Sequence, residues 1–251
     1  MSKLLKRICA YLIDILLITT IAQTLSSTTI FNPNLNAYQK YQKQYNETYK
    51  EYATYVTTLT KYYDDNKLTE KEYNKLIEKN KTYESITNKY YQDSRLTKKN
   101  YNKLLKEVTK EYTTISQKIF YKIEKNSISE KIIYIVLVFL YFVGFNYITQ
   151  GQTLGKKIMK LKIAKKNSNE KVPITSYLIR VILMYQTIYY IVRLITLLLI
   201  PASQYNSITN MTYNIQNLLD LAIITCMLVR KDGRGLHDLL AGTEVIKANK
   251  Q

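Results

Sequence analysis

The stretch from Arg7 to Ile30 limits this chain more than any other. After Arg7-Ile8-Cys9-Ala10-Tyr11-Leu12-Ile13-Asp14, no charged residue occurs from Ile15 to Ile30. As an α-helix it meets the need for about 20 mainly apolar residues to cross a bilayer. Asp14 lies about a third of the way along. A charged side chain at the centre of a membrane helix costs roughly 2.5–3.5 kcal/mol on insertion scales, so it faces protein or water and takes a partner. Three further apolar runs follow: Ile132–Thr149, Ile174–Ile200 and Met211–Val229. The second is short and can extend back to Ile128. The fourth is polar in its first half (Asn214, Gln216, Asn217, Asp220), which suits a helix whose polar groups meet other helices.

Charge placement orients these spans. The mean hydropathy of −0.23 averages two populations, the apolar runs and a polar segment between the first and second. Lys3, Lys6 and Arg7 precede the first run. Lys156, Lys157, Lys160, Lys162, Lys165, Lys166 and Lys171, against Glu170 alone, lie between the second and third, and Arg230, Lys231, Arg234, Lys247 and Lys250 follow the fourth. The segment Pro201–Asn210 has no charge. Short loops rich in Lys and Arg stay in the cytoplasm. The pattern therefore predicts a multi-pass protein of the cell membrane with four spans, both termini cytoplasmic and residues 32–129 extracellular. A basic start before an apolar run also resembles a secretion signal. This run exceeds the 7–15 residues of a signal's apolar region and lacks an Ala-x-Ala site, so an uncleaved span is expected. Both cysteines, Cys9 and Cys226, fall in apolar runs, so no disulfide framework holds the polar segment.

That segment divides the chain into residues 1–31, 32–129 and 130–251. From Asn32 to Glu130 it carries 19 basic and 13 acidic side chains, and it holds 15 of the 25 tyrosines. Tyr38, Tyr41, Tyr45, Tyr49, Tyr52 and Tyr55 recur every three or four residues, one face of a helix. An internal repeat at an offset of 28 residues relates Lys61-Tyr62-Tyr63-Asp64-Asp65-Asn66-Lys67-Leu68-Thr69 to Lys89-Tyr90-Tyr91-Gln92-Asp93-Ser94-Arg95-Leu96-Thr97, and Tyr73-Asn74-Lys75-Leu76 to Tyr101-Asn102-Lys103-Leu104. Each copy reads as a helix end, a turn and a new helix capped by Thr69, with Glu72 completing a capping box, or by Thr97. Helices are expected near Leu35–Tyr63, Glu70–Tyr91 and Lys98–Lys125, packed as a small antiparallel bundle or coiled coil, with a break near Asn126 or one helix lying flat.

Two further motifs stand out: Gly151-Gln152-Thr153-Leu154-Gly155-Lys156-Lys157, and Asp232-Gly233-Arg234-Gly235-Leu236-His237-Asp238-Leu239-Leu240-Ala241-Gly242-Thr243. With Arg7 and Asp14 they resemble the RDD family of small bacterial membrane proteins, named for one arginine and two aspartates. By position these fall on Arg7, Asp14 and Asp238. The resemblance covers residues 1–31 and 132–247. It implies an integral membrane protein, often suggested to act in transport, including cation/proton exchange. The family's first outer loop is usually short, so the resemblance is silent on the insert.

The ionisable residues inside the spans are Asp14, Arg180, Arg193 and Asp220. At a rise of about 1.5 Å per residue, Asp14 and Arg180 share an inner depth, and Arg193 and Asp220 an outer one. Two pairs, Asp14–Arg180 and Asp220–Arg193, are expected. Either they line a pathway in which Asp14 exchanges its arginine for a proton or monovalent cation, or they fix helix register. Arg7 reads as an interfacial anchor, Asp238 as a cap or a partner of Arg234 or Lys231, and His237 as a surface residue. Met159–Lys165 and Thr243–Lys247 alternate apolar and polar residues, which suits a small cytoplasmic β-ribbon with a turn at Asn167-Ser168-Asn169. An interfacial amphipathic helix is the alternative.

The expected class is thus all-α, a polytopic membrane bundle with a helical extracellular insert. Its partners are the lipid bilayer, a monovalent cation or proton, and an extracellular partner of the insert. The net charge of +18 would suit nucleic acid in a soluble protein, but an extracellular insert argues against it. No nucleophile sits beside a base, and neither glycine-rich segment has P-loop spacing. No enzyme activity, cofactor or metal is expected. The competing function is an interaction protein that displays the insert to a partner or the cell envelope.

Overall fold

The computed structural model describes residues 2–64, 69–91, 96–168 and 170–248. In chain order the elements are α1 (Lys3–Ser26), α2 (Leu35–Asp64), α3 (Glu70–Lys79), α4 (Glu84–Tyr90), α5 (Lys98–Asn126), α6 (Ile128–Phe139), α7 (Asn146–Ile148) and α8 (Leu154–Ile158). Then come β1 (Leu161–Lys165), α9 (Ile174–Leu183), α10 (Thr187–Leu199), α11 (Ala202–Val229), α12 (Leu236–Leu240) and β2 (Thr243–Lys247). The chain forms an all-α polytopic membrane bundle with one two-stranded ribbon, and it divides into two compact units. One is Met1–Leu35 with Lys125–Gln251; the other is Asn36–Glu124.

In the first unit, α1 buries Ala10, Asp14, Ile18, Ala22 and Ser26. A spacing of four puts these on one face, and the small residues among them let neighbouring helices approach closely. Leu5, Ile8, Leu12 and Leu16 lie exposed on the rest of the surface, as suits lipid. The buried row packs on α6 and α8. Helix α6 runs through a π-helical turn at Leu140–Phe145 into α7, so that Ile128–Ile148 is one apolar helix of 21 residues. Helices α1, Ile128–Ile148 and α11 are each long and apolar enough to cross a membrane. Leu161, Ile163 and Val245 of the ribbon join the same core as Ala10, Ile18, Val138, Phe142 and Val181.

Two expected spans differ. Ile174–Ile200 is not one straight helix: α9 and α10 bend by 70°. The break contains neither Gly nor Pro; Tyr185 and Gln186 instead take left-handed backbone, φ 58° and 55°, at a cost of roughly 1–2 kcal/mol per residue. Packing holds it there. The Tyr185 ring stacks on Phe142 at 3.7 Å and on Tyr11 at 5.6 Å. Tyr134 Oη donates to its carbonyl at 3.1 Å, and the Thr187 hydroxyl caps the Val181 carbonyl at 2.7 Å. The last span also begins earlier than expected. Pro201–Asn210 is not a loop, because α11 starts at Ala202 and runs 28 residues. That is about 42 Å, against a hydrocarbon thickness of about 30 Å.

The ribbon reading holds over the amphipathic helix. β1 and β2 pair antiparallel from Leu161↔Lys247 to Lys165↔Thr243. Lys166 and Asn167 turn the chain after β1, though the next strand in sequence lies beyond α12; Asn169 is outside the described residues.

In the second unit, Tyr55, Leu59, Leu76, Tyr83, Leu104 and Val108 form a core shared by α2, α3, the 3₁₀ turn Lys81–Tyr83 and α5. The capping box at Thr69 and Glu72 is present, and Thr97 caps α5 through the Asn100 N–H at 3.2 Å. The helix expected at Glu70–Tyr91 breaks at Asn80, whose side chain donates back to the Leu76 carbonyl at 2.8 Å. Such local bonds compete with the helix. The tyrosine stripe divides. Tyr55 is fully buried and Tyr52 stacks on Tyr112 at 4.2 Å, whereas Tyr49 is exposed. Repeat residues 65–68 and 92–95 lie outside the described residues. Helices α5 and α6 are separated by Ser127 alone.

Candidate functional site

Asp14 is 1% exposed and meets the N-terminus of α8. Tyr141 Oη and the Gly155 N–H each donate to it at 2.7 Å, and the Thr153 hydroxyl donates to its other oxygen. The Thr153 oxygen in turn caps α8, accepting from the Lys156 backbone N–H, and it accepts from Lys156 Nζ at 3.0 Å. Tyr141 Oη also accepts from the Leu154 N–H at 3.0 Å. The Gly-Gln-Thr-Leu-Gly-Lys motif therefore acts as a carboxylate-binding helix start, an arrangement that N-terminal N–H groups favour. Gly155 is required for contact: a Cβ there would lie 2.2 Å from the Ala10 carbonyl oxygen and 2.9 Å from Asp14 Cγ.

The second carboxylate, Asp238, sits at the start of α12, where it accepts from the Gly235 N–H at 3.1 Å. Arg7 donates to it at 2.5 Å from α1, and Arg180 pairs with its other oxygen from α9. Arg180 also donates to Thr243 Oγ1 at 2.9 Å, and Arg7 to the Gly233 carbonyl. Gly233 has φ 65°, a left-handed turn that glycine takes without strain. Burial by itself would raise the Asp238 carboxyl, but Arg180 and Arg7 hold it below its ordinary value. Next to it, His237 is 1% exposed and neither ring nitrogen has a hydrogen-bond partner, although Nε2 is 3.4 Å from Asp238 Oδ2. Burial first, then Arg180, lowers its pKa to about 3, so the ring is neutral. Lys156 is likewise pushed down to about 7, by burial above all and then by Arg180 and Arg7, against the opposing pull of Asp14 and Asp238.

Arg7, Asp14, Lys156, Arg180, Asp220 and His237 all line one cavity of about 530 Å³. The structure thus gathers Asp14, Arg180 and Asp220 around one space but forms neither expected pair. Asp14 has neutral donors and Arg180 has Asp238. Asp220 accepts from Gln216 Nε2 at 3.0 Å, while Arg193 donates to Tyr205 Oη at 3.1 Å and lies over the Tyr189 ring. The outer pair fails for a physical reason: α11 starts at Ala202, so Asp220, 18 residues further on, falls in the C-terminal half of the helix instead of its middle. Arg7 is not a mere interfacial anchor, and His237 is not on the surface. Arg234 meets the Thr243 and Asp238 carbonyls rather than the Asp238 carboxylate. Tyr141, Thr153, Gly155 and Lys156 were missed as site residues, although three of them lie in the motif itself. Among the described residues no three His, Cys, Asp or Glu side chains converge to hold a metal.

Bilayer-length apolar helices closed around a buried charge network define an integral, polytopic α-helical membrane protein. Residues 119–242 match the family model described as RDD family, and this match supports membership of that family. The match includes Asp238 and the Gly151–Lys157 motif; Arg7 and Asp14 lie before it but bind residues within it. No curated protein and no solved structure matches the chain.

Proposed function

We propose that this protein exchanges a monovalent cation for a proton across the cell membrane, with Asp220 as the carboxylate that alternates between them. The observation that carries the reading is the state of the three carboxylates. Asp238 is held by two arginines, and Asp14 by three donors. Asp220 lines the cavity and, among the described residues, accepts one hydrogen bond, from Gln216. An unpaired carboxylate at membrane depth is costly as an anion, so it gains by taking a proton or a cation. Gln216 Oε1 is buried without a partner, and turning the amide over would bring an oxygen to a cation held by Asp220. Asp14 becomes a structural carboxylate instead of the exchanging one. The reading takes both termini as cytoplasmic and the insert as extracellular, with the bent α9–α10 pair as the fourth span, and it involves no enzymatic step.

Cation-driven proton movement in vesicles holding the purified protein tests this. Asp220→Asn should abolish exchange while the protein still assembles. Unchanged exchange would exclude Asp220, and no exchange by the natural sequence would exclude transport of this kind. A second reading, display of the insert to an extracellular partner, is favoured by Tyr49, exposed on the same helix face as half-buried Tyr38, Tyr41 and Tyr45. Tyrosine is enriched in binding surfaces.

A further inference from the structure

With Lys156 protonated, the arginine end of the cavity sets three cations against two carboxylates, Asp220 lying along the same wall. Arg7, Arg180 and Lys156 meet there with two carboxylates, Asp14 and Asp238. Asp238 is shared between the arginines, and Asp14 is satisfied by neutral donors. Lys156 makes no ion pair among the described residues; its amine donates to Thr153. The charges that act on it most are Asp14, Arg180, Arg7 and Asp238, and Asp220 lines the same cavity. A buried charge left without a counter-charge is unfavourable. Beside it stands the buried His237 ring, with both nitrogens unpartnered. A neutral imidazole has one N–H to donate, and this one makes no hydrogen bond, although Nε2 lies 3.4 Å from Asp238 Oδ2. Three features therefore agree on a missing anion: the three clustered cations, the unpaired amine and the idle ring.

The rest of the cavity wall identifies the anion's source. It is mostly apolar, and Ile8, Leu12, Ile224 and Leu228 belong both to the wall and to the outer surface, being 45–62% exposed. Helix α1 packs on α6 and α8, and α11 on α10 and α12, so the space between α1 and α11 is lined by side chains that continue onto the bilayer-facing surface. A ligand arriving this way comes from lipid and is apolar along most of its length. The volume, about 530 Å³, lies within the usual range of ligand sites.

We propose that this cavity binds an acidic membrane lipid, with its anionic headgroup on Lys156, Arg7 and the His237 ring N–H and an acyl chain between α1 and α11. The site goes beyond cation exchange and does not depend on it. A bound anion favours the charged form of Lys156, so affinity should fall as pH rises through about 7, where the lysine, facing Asp14, Arg7, Arg180 and Asp238, loses its proton.

The test is lipid binding to the purified full-length protein in neutral detergent, read by native mass spectrometry and by the thermal shift in circular dichroism. Phosphatidylglycerol, phosphatidylcholine and inorganic phosphate are compared at pH 6 and pH 8.5. Phosphatidylglycerol should bind about tenfold tighter than phosphatidylcholine at pH 6, the scale of one charge-assisted contact. Lys156→Gln and His237→Leu should each remove most of that preference, while Lys157→Gln, which removes an exposed charge one residue away, should keep it. Equal binding of the two lipids, or a preference that survives Lys156→Gln and His237→Leu, would overturn the proposal. So would inorganic phosphate matching the full stabilisation by phosphatidylglycerol, since the site would then take a free anion. If the variants do not fold, the natural sequence decides: the preference should shrink at pH 8.5, and a flat profile overturns it.

Discussion

Replacing Asp238 by Asn isolates the charge network that ties α1, α9 and α12 together. The side chain is fully buried between Arg7 and Arg180, themselves 8% and 7% exposed, and it also accepts from the Gly235 N–H. Asn keeps the shape and one acceptor but leaves two buried guanidinium groups facing each other without a carboxylate. Removing one partner from a buried ion pair costs roughly 3–5 kcal/mol, because the remaining charge stays desolvated. For a chain of this size that lowers Tm by about 10 °C. The assay is thermal unfolding in detergent by circular dichroism, since the chain contains no tryptophan to report by fluorescence. The double variant Asp238→Asn with Arg180→Gln should lose less than the sum of the two single changes, by more than about 1 kcal/mol, because residues in contact couple. A Tm within about 2 °C of the natural protein's for Asp238→Asn, corresponding to under about 1 kcal/mol, would refute the argument, as would additive single effects.

Gly155→Ala should destabilise the first unit by at least about 1–3 kcal/mol, because its Cβ would meet the backbone oxygen of Ala10 at 2.2 Å, which only a helix shift relieves; a normal melting curve would exclude the close packing of α1 on α8. Lys156→Met should stabilise the lipid-free protein at pH 6 and flatten its pH dependence. The unfolded chain keeps this proton up to about 10.5 and the folded one releases it near 7, so stability should rise with pH across that window by up to roughly 1.4 kcal/mol per unit; the same rise in Lys156→Met would assign it elsewhere. Joining Leu35 to Lys125, which removes the second compact unit, should leave cation exchange intact and abolish any binding to the cell envelope; loss of exchange would tie transport to the insert.

Much of the architecture is legible from local pattern alone. The uncharged run after Asp14 requires a membrane helix whatever surrounds it, because lipid offers backbone polar groups no partner. The lysine-rich loops bias orientation, the period-two alternation announces the ribbon strands, and Thr69 with Glu72 marks a helix start through bonds between near neighbours. These features arise within a few residues, so they survive without knowledge of the fold. The partners of the buried charges do not. Depth estimates placed Arg180 with Asp14, and nothing local says that Thr153 and Gly155 would reach that carboxylate first, 139 and 141 residues away in sequence. The left-handed break at Tyr185–Gln186 is equally silent in sequence, since it exists only while Tyr11, Phe142 and Tyr134 hold Tyr185 in place.

What the amino-acid order determined by itself is that the chain enters a membrane and buries an aspartate there. Which groups answer that aspartate, which cavity carboxylate keeps only a glutamine donor among the described residues, and where a lysine is buried were decided only when the helices packed. A desolvated charge is satisfied by whichever donors the fold brings within reach, and reach is a property of three dimensions.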